Sequence, residues 1–233
     1  MNVTDSPSIA ERVLEIRQRI ERAAHGVWDH PISLVAVAKT MPAPAIREAI
    51  AAGVDAIGEN RVQEIVDKDA QGAYDGAPLH FIGHLQKNKV SKLVGRAELI
   101  HSVDSLELAR LIDSHAERRD LVQPVLLQVN IAGEPTKSGF DPDAVYSALK
   151  SLSPLRHIQI CGLMCIPPPI RSNIETQYFV VTRQLYVDIR GKNMDNIRMD
   201  FLSMGMSGDF ELAVRAGANL LRIGTALFGS RHQ

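Results

Sequence analysis

The spacing of hydrophobic positions changes near residue 32. Over residues 8–24, apolar residues recur every three or four positions with charged residues between them, which predicts an amphipathic helix. These apolar residues are Ile9, Val13, Ile16 and Ile20. From Ile32 onward, short β-rich runs alternate with helical segments. We therefore expect one N-terminal helix, followed by a repeating strand–helix unit.

The repeating part contains eight β-rich runs. They are ISLVAVAKT, VDAIGEN, LHFIGHL, AELIHSVDS, VQPVLLQVNI, HIQICGLMCI, MDFLSMGMS and NLLRIGTALFG. Alternation of strands and helices indicates parallel pairing through right-handed crossovers. Eight such units in 233 residues favour one closed (β/α)8 barrel of the TIM type, with an open doubly wound sheet as the alternative. No linker or low-complexity segment interrupts the chain, so residues 1–233 are predicted to form a single domain.

Charge and composition narrow the range of partners. The chain has 26 basic and 27 acidic residues, so no overall field attracts nucleic acid or an anionic membrane. The N-terminus lacks the pattern of a signal peptide, and no apolar run approaches the roughly 18 residues of a membrane helix. These features predict a cytoplasmic protein that binds small molecules.

The two cysteines, Cys161 and Cys165, lie in one predicted strand. Four residues of a strand span roughly 13 Å at about 3.3 Å each, well beyond the limit of about 7 Å for a disulfide. No zinc-ligand spacing accompanies them. We expect two reduced cysteines that pack in the core, and no metal site.

The end of the first strand carries a candidate reactive lysine. Lys39 shares a strand face with Val35 and Val37, so its ammonium is expected to point into the barrel. A lysine between apolar neighbours loses hydration of its charged form, which leaves more of the neutral amine that attacks aldehydes. The structural alternative is a lysine that extends from the strand end into water.

Small and hydroxylated residues follow the last two strands, in SMGMSGDF and RIGTALFG. Unshielded backbone amides and hydroxyls surround phosphates, and TIM barrels often bind phosphate after strands seven and eight. The candidate groups are Ser203, Gly205, Ser207, Gly208, Gly224 and Thr225. Ordinary turn glycines and a serine cap are the alternative. Together with Lys39, these groups predict a phosphorylated aldehyde as ligand, either pyridoxal 5′-phosphate (PLP) or a phosphosugar.

Eight fragments, in order, resemble a known family. AVAKT, GENRVQE, HFIGHLQKNK, HSVDS, VNIAGEPTKSG, GLMCIPP, LSMGMSGDFELAVRAGA and LRIGTALFG are together similar to the pyridoxal phosphate homeostasis proteins, the YggS or proline synthetase co-transcribed homologue family. The resemblance covers about residues 10–229, and its departures are Ala38, where serine is common, and Cys165, where a smaller residue is expected. It implies a barrel similar to the N-terminal domain of alanine racemases. It also implies a monomeric, non-catalytic protein that buffers PLP and supplies PLP-dependent apoenzymes.

The resemblance also implies roles for individual residues. It makes Lys39 the Schiff-base lysine, places Asn60 near the ring, and assigns Ser203, Ser207, Gly224 and Thr225 to the phosphate and Arg222 to the pyridine nitrogen. An arginine stays protonated, so it opposes a proton on that nitrogen and leaves the ring a weaker electron sink. Carbanion chemistry is then poorly supported.

A PLP-dependent racemase of the alanine racemase type is the alternative function. In those enzymes a second domain supplies a tyrosine acid/base from the partner subunit, and we expect this chain to lack that domain. Two-base racemisation needs a proton donor on each face of the substrate. The four tyrosines, Tyr74, Tyr146, Tyr178 and Tyr186, lie in predicted helices or their flanks, away from the barrel mouth.

Two histidines lie near strand ends and are candidate acids or bases. They are His84 and His101. With no carboxylate partner evident in the sequence, we expect both to be hydrogen-bonded structural residues.

Overall fold

The computed structural model describes residues 7–26, 31–169, 173–192 and 194–229. Its centre is a barrel of eight parallel strands in sequential order. The strands are β1 Ser33–Val37, β2 Ala56–Glu59, β3 Leu79–Phe81, β4 Leu99–Val103, β5 Gln123–Val129, β6 Ile158–Cys165, β7 Ile197–Ser203 and β8 Leu220–Ile223. β8 pairs with β1, with Ser33 opposite Leu220 and Ala36 opposite Ile223, so the sheet closes. The predicted (β/α)8 barrel is confirmed, and the open sheet is wrong.

Helices connect the strands around the outside. They are α1 Ile9–Ala24, α2 Ala43–Ala51, α3 Val62–Asp69, α4 Val90–Leu93, α5 Leu106–Glu117, α6 Val145–Leu152, α7 Asn173–Arg190, α8 Phe210–Arg215 and α9 Thr225–Phe228. Short 3-10 turns at Lys87–Lys89 and Pro142–Ala144 precede α4 and α6. In the described part of the chain, no helix combines the length and apolar character that crossing a bilayer requires.

The predicted N-terminal helix is confirmed as α1. Ser8 and Glu11 form a capping box that satisfies two of the free amides at its start. Its buried face includes Val13, Ile16 and Ile20, and the helix contacts α2, α8 and α9. The periodic apolar residues therefore pack α1 against the outer helices that follow the last two strands and the first strand.

The core has two parts. The larger part lies between strands and helices, and a smaller apolar cluster fills part of the barrel interior: Val35, Ala56, Leu99, Leu126, Cys161, Met164 and Leu220. Cys161 and Cys165 are both buried free thiols, as predicted, and burial raises the pKa of each to about 11. Both thiols are therefore inert packing groups at neutral pH.

Candidate functional site

A cavity of about 270 Å³ opens at the carboxyl ends of the strands, where the active sites of such barrels form. Its polar lining comprises Lys39, Asn60, Ser207, Arg222, Gly224 and Thr225. Its apolar lining includes Met41, Ile82, Ile166, Met206 and Phe228. Six of the seven site residues expected from the sequence therefore line one cavity, and Ser203 does not.

Lys39 lies in a turn just beyond β1. Met41 N donates to Ala38 O at 2.9 Å, which makes Lys39 the second residue of a four-residue turn. The side chain is half-buried and lines the cavity. Within the described residues its ammonium has neither a hydrogen bond nor an ion pair. This amine is therefore not held by a protein partner and is available to a ligand.

Arg222 is a buried cation on the opposite wall, with 4 % of its surface exposed. Its NH1 donates to Ser203 Oγ at 2.5 Å and its NH2 donates to Cys165 O at 2.9 Å. Among the described side chains no carboxylate forms an ion pair with it, and burial lowers its pKa. Asp209 raises that pKa from beyond ion-pair distance, but a buried cation without a contacting carboxylate is costly. The guanidinium is thus suited to an acceptor atom of a ligand.

A line of hydrogen bonds runs from Arg222 into the barrel interior, and we call Arg222, Ser203, His101 and His80 the inner chain. Ser203 Oγ accepts from Arg222, so its single proton is free for His101 Nδ1 at 2.9 Å. Neutral His101 then carries its proton on Nε2 and donates to His80 Nδ1 at 3.1 Å. The geometry therefore assigns one tautomer to each histidine.

Both histidines of the inner chain favour the neutral form. Burial lowers the pKa of His80 to about 4. Burial, and after it the charges of His80 and Arg222, hold the pKa of His101 well below its usual value. Neutral histidines accept hydrogen bonds along the inner chain without adding charge beside Arg222.

Ser203 is placed differently from the sequence-based expectation. Its side chain is fully buried, and its hydroxyl bonds to Arg222 and His101. The structure therefore does not bring this hydroxyl to the cavity wall for a direct phosphate contact. Residue spacing along β7 could not reveal this, because the partners come from β4 and β8.

Donors converge beside Ser207. Its Oγ accepts from Gly224 N at 3.3 Å and from Ala226 N at 3.2 Å. A Cβ at position 224 would lie 3.3 Å from Val37 Cβ, so glycine allows the end of β8 to approach β1 closely. Two amides and one hydroxyl therefore meet at the cavity edge, next to Thr225.

Asn60 supplies an unpaired polar atom. Its Oδ1 is buried and has no hydrogen-bond partner among the described residues. A Cβ at Gly83 would lie 2.1 Å from the Asn60 carbonyl oxygen, so only glycine permits the close packing that fixes this segment. Because buried polar groups are normally satisfied, this amide is a candidate ligand contact.

The histidine predictions have mixed outcomes. His101 is a buried, hydrogen-bonded residue, as expected. His84 is also hydrogen-bonded, yet its Nδ1 lies 3.3 Å from Asp104 Oδ2, a carboxylate partner that was not evident in the sequence. The two residues follow the adjacent strands β3 and β4, and this adjacency was the signal that could have predicted the pair.

The tyrosines lie away from the cavity. Tyr74 OH donates to Glu59 Oε1 at 3.2 Å, and Tyr186 OH donates to Met199 O. Tyr146 and Tyr178 are on α6 and α7. None of the four belongs to the described cavity lining, and in the same part of the chain no three metal-ligating side chains are grouped.

Comparison with known proteins places this site in a family. Residues 12–232 match the family described as alanine racemase, N-terminal domain. The pyridoxal phosphate homeostasis protein of Aquifex aeolicus is 40% identical over 224 residues, which cover 95% of this chain and 97% of the relative. Its counterpart in Pseudomonas aeruginosa is 39% identical over 230 residues, 96% of each chain.

The chain belongs to the pyridoxal phosphate homeostasis protein family. Among solved structures, PipY of Synechococcus elongatus with PLP bound is similar with a TM-score of 0.83 and 38% identity, over 95% of this chain and 100% of PipY. The family resemblance and the similarity to the alanine racemase N-terminal domain are thus both confirmed.

This family member carries two features that sequence reasoning missed. The first is His80, which completes the inner chain. It lies opposite Gly58 of β2, and the alternation of side chains along β3 was the signal that could have predicted its inward direction.

The second is a group of charged residues outside the barrel, Glu59, Glu64 and Lys68, which we call the outer cluster. Lys68 Nζ lies 2.7 Å from Glu59 Oε1 and 3.0 Å from Glu64 Oε2.

Proposed function

We propose that residues 1–233 form one PLP-binding barrel domain, which holds the cofactor as a Schiff base on Lys39. We propose further that the protein is a non-catalytic buffer and carrier in PLP homeostasis. The observation that carries the proposal is a single cavity that combines the unpartnered Lys39 amine, the buried Arg222 guanidinium and the donors around Ser207. The name shared by the relatives and the PLP in PipY support it.

Schiff-base formation requires little from the protein beyond placing the Lys39 amine next to the aldehyde. The Lys39 amine and the aldehyde condense, so that a C=N bond forms and one water leaves. When bound, PLP supplies the aldehyde and the aromatic ring. Arg222 would donate to the ring nitrogen, with Asn60 beside the ring. The phosphate would lie against Ser207, Gly224 and Thr225, while Ser203 would act through Arg222.

Two features argue against turnover as a racemase. Arg222 stays protonated and donates, so it disfavours a proton on the ring nitrogen and weakens the electron sink. Two-base racemisation also needs an acid on the face opposite Lys39. The described tyrosines do not line the cavity. Racemisation is therefore the alternative that an experiment must exclude.

The proposal also covers the location, oligomeric state and partners of the protein. We propose a cytoplasmic monomer that transfers PLP to PLP-dependent apoenzymes and has neither nucleic acid nor membrane as a partner. The near-balance of 26 basic and 27 acidic residues supports the last point, because no excess charge attracts polyanions.

The first experiment tests the Schiff base. Protein mixed with PLP should develop a yellow absorption band, and borohydride should then fix the cofactor on the peptide that contains Lys39. Lys39→Ala should lose band and adduct, whereas the control Lys87→Ala, on the 3-10 turn before α4, should keep both. An adduct on a different lysine contradicts the assignment.

The second experiment separates carrier from racemase. The protein with PLP is incubated with L- and D-alanine in deuterated water, and α-proton exchange and isomer ratio are followed. A carrier exchanges no faster than free PLP and restores activity to an apoenzyme. Racemisation near the median enzyme rate of about 10 per second would overturn the carrier proposal.

A further inference from the structure

The turn that carries Lys39 contains an unusual backbone conformation. Thr40, the next residue, has φ +66°, a region that glycine favours and β-branched residues avoid. Such conformations persist only where surrounding contacts hold them, and they concentrate at functional sites. The Thr40 hydroxyl has no hydrogen bond among the described residues, so the restraint must act on the backbone.

The outer cluster supplies that restraint on both sides of Lys39. Lys68 Nζ donates to Ala38 O at 2.9 Å, and Thr40 N donates to Glu64 Oε2 at 2.8 Å. The peptide groups before and after Lys39 are therefore each bonded to a charged side chain of α3. Hydrogen bonds with an ionised partner are roughly twice as strong as neutral ones.

The cluster is itself firmly anchored. Glu59 is fully buried at the end of β2 and accepts from Lys68 and Tyr74, at 2.7 Å and 3.2 Å. Lys68 thus bridges Glu59, Glu64 and the Ala38 carbonyl. Because α3 and β2 hold these groups, the turn is fixed from outside the barrel while its lysine faces the cavity inside.

We propose that Glu64 and Lys68 are positioning residues that hold the Lys39 amine at the place where it meets the ligand aldehyde. This inference rests on the proposed function, since it concerns Lys39 as the Schiff-base lysine. Neither residue lines the cavity, and both bond to the turn through its backbone.

The test separates binding from Schiff-base formation. Pyridoxine 5′-phosphate has the ring and phosphate but an alcohol in place of the aldehyde, so its affinity reports the cavity alone. Glu64→Ala should leave that affinity within about twofold of wild type and slow Schiff-base formation with PLP about tenfold, since small displacements of a reacting group are costly. Glu64→Gln keeps an oxygen acceptor for Thr40 N and should react within about twofold of wild type.

A control and a second variant complete the design. Asp69→Ala removes another carboxylate from α3, one that pairs with Arg96 at 2.7 Å, and should behave as wild type. The double variant K68M/E59Q removes the donor to Ala38 O without leaving a buried carboxylate, and it keeps an acceptor for Tyr74. It should also bind pyridoxine 5′-phosphate normally and form the Schiff base slowly.

Several results would overturn the inference: wild-type rates in both E64A and K68M/E59Q, an E64Q as slow as E64A, or an equal loss of pyridoxine 5′-phosphate affinity. If E64A does not fold, K68M/E59Q decides alone. A wild-type protein that forms no Schiff base on Lys39 instead overturns the proposed function. The two failures are distinguishable, because without a Schiff base on Lys39 in wild type no variant can differ from it in the rate of Schiff-base formation.

Discussion

The inner chain is buried and the outer cluster is buried except for the partly exposed Glu64. Each contains one cation, yet the two cations have different partners. Lys68 of the outer cluster lies within 3.0 Å of two carboxylates, whereas Arg222 of the inner chain bonds to a hydroxyl and a carbonyl. Arg222 lines the cavity and Lys68 does not. The cation without a carboxylate in ion-pair contact is thus the one available to a ligand, and the cation that is paired with carboxylates supports the backbone.

The largest expected effect comes from breaking the compensated cluster. Lys68→Met leaves fully buried Glu59 without its cation, which should lower the free energy of unfolding by about 3–5 kcal/mol. K68M/E59Q should recover most of that loss. Urea unfolding monitored by circular dichroism measures both. A K68M protein as stable as wild type would show that the outer cluster does not hold the fold.

The inner chain should lose stability as the pH falls, because it contains a buried neutral histidine. The pKa of His80 is lowered to about 4 by burial, so the unfolded state binds its proton first as the pH falls. The His80 contribution to stability is fully present above about pH 6.5 and is lost as the pH falls towards 4, by about 1.4 kcal/mol per pH unit. Protonation of His80 at Nδ1 would also make its N–H face the N–H of His101 Nε2.

His80→Asn provides the matched control, because its amide oxygen still accepts from His101 but does not titrate. The difference in unfolding free energy between wild type and H80N should shrink steadily from pH 6.5 to pH 4. Buried Glu59, whose pKa is raised by burial, acts in the opposite direction but is common to both proteins. A difference that stays constant with pH would contradict the neutral inner chain.

The fold and most of the cavity could be predicted from sequence because they depend on local periodicity. The strand period predicted Lys39 at the mouth, where it lies in the turn just beyond β1, and small residues after β7 and β8 marked Ser207 and Gly224. Contacts that join distant strands could not be predicted in this way. Ser203 meets His101 across 102 residues of sequence, and neither period nor composition specifies such a pair.

Ser203 and Ser207 offer a sharper comparison within the site itself. Ser207→Ala removes a hydroxyl at the cavity edge and should weaken PLP binding by about 1.5–3 kcal/mol, roughly tenfold to a hundredfold. It should also reduce the preference for PLP over pyridoxal. Ser203→Ala should leave that preference unchanged, because the buried hydroxyl bonds to Arg222. Titration of both ligands into both variants checks this, and loss of phosphate preference in S203A would restore Ser203 to the phosphate.

The smallest expected effect concerns the strained residue beside Lys39. A non-glycine residue with φ +66° costs roughly 1–2 kcal/mol, and Thr40→Gly removes that cost. Glycine also adds freedom to the unfolded chain, worth roughly 0.5–1 kcal/mol in the opposite direction. The two terms nearly cancel, so T40G should change the free energy of unfolding by less than about 1 kcal/mol.

The informative quantity is the coupling with Glu64. If Glu64 holds the Thr40 backbone against its strain, the cost of Glu64→Ala should be smaller in the T40G background, where glycine adopts the same φ unaided. Urea unfolding of wild type, both single variants and the double variant gives this coupling, which should be at least about 0.5 kcal/mol. Strictly additive costs would mean that the carboxylate does not oppose the strain, and the outer cluster would then stabilise α3 rather than the turn that carries Lys39.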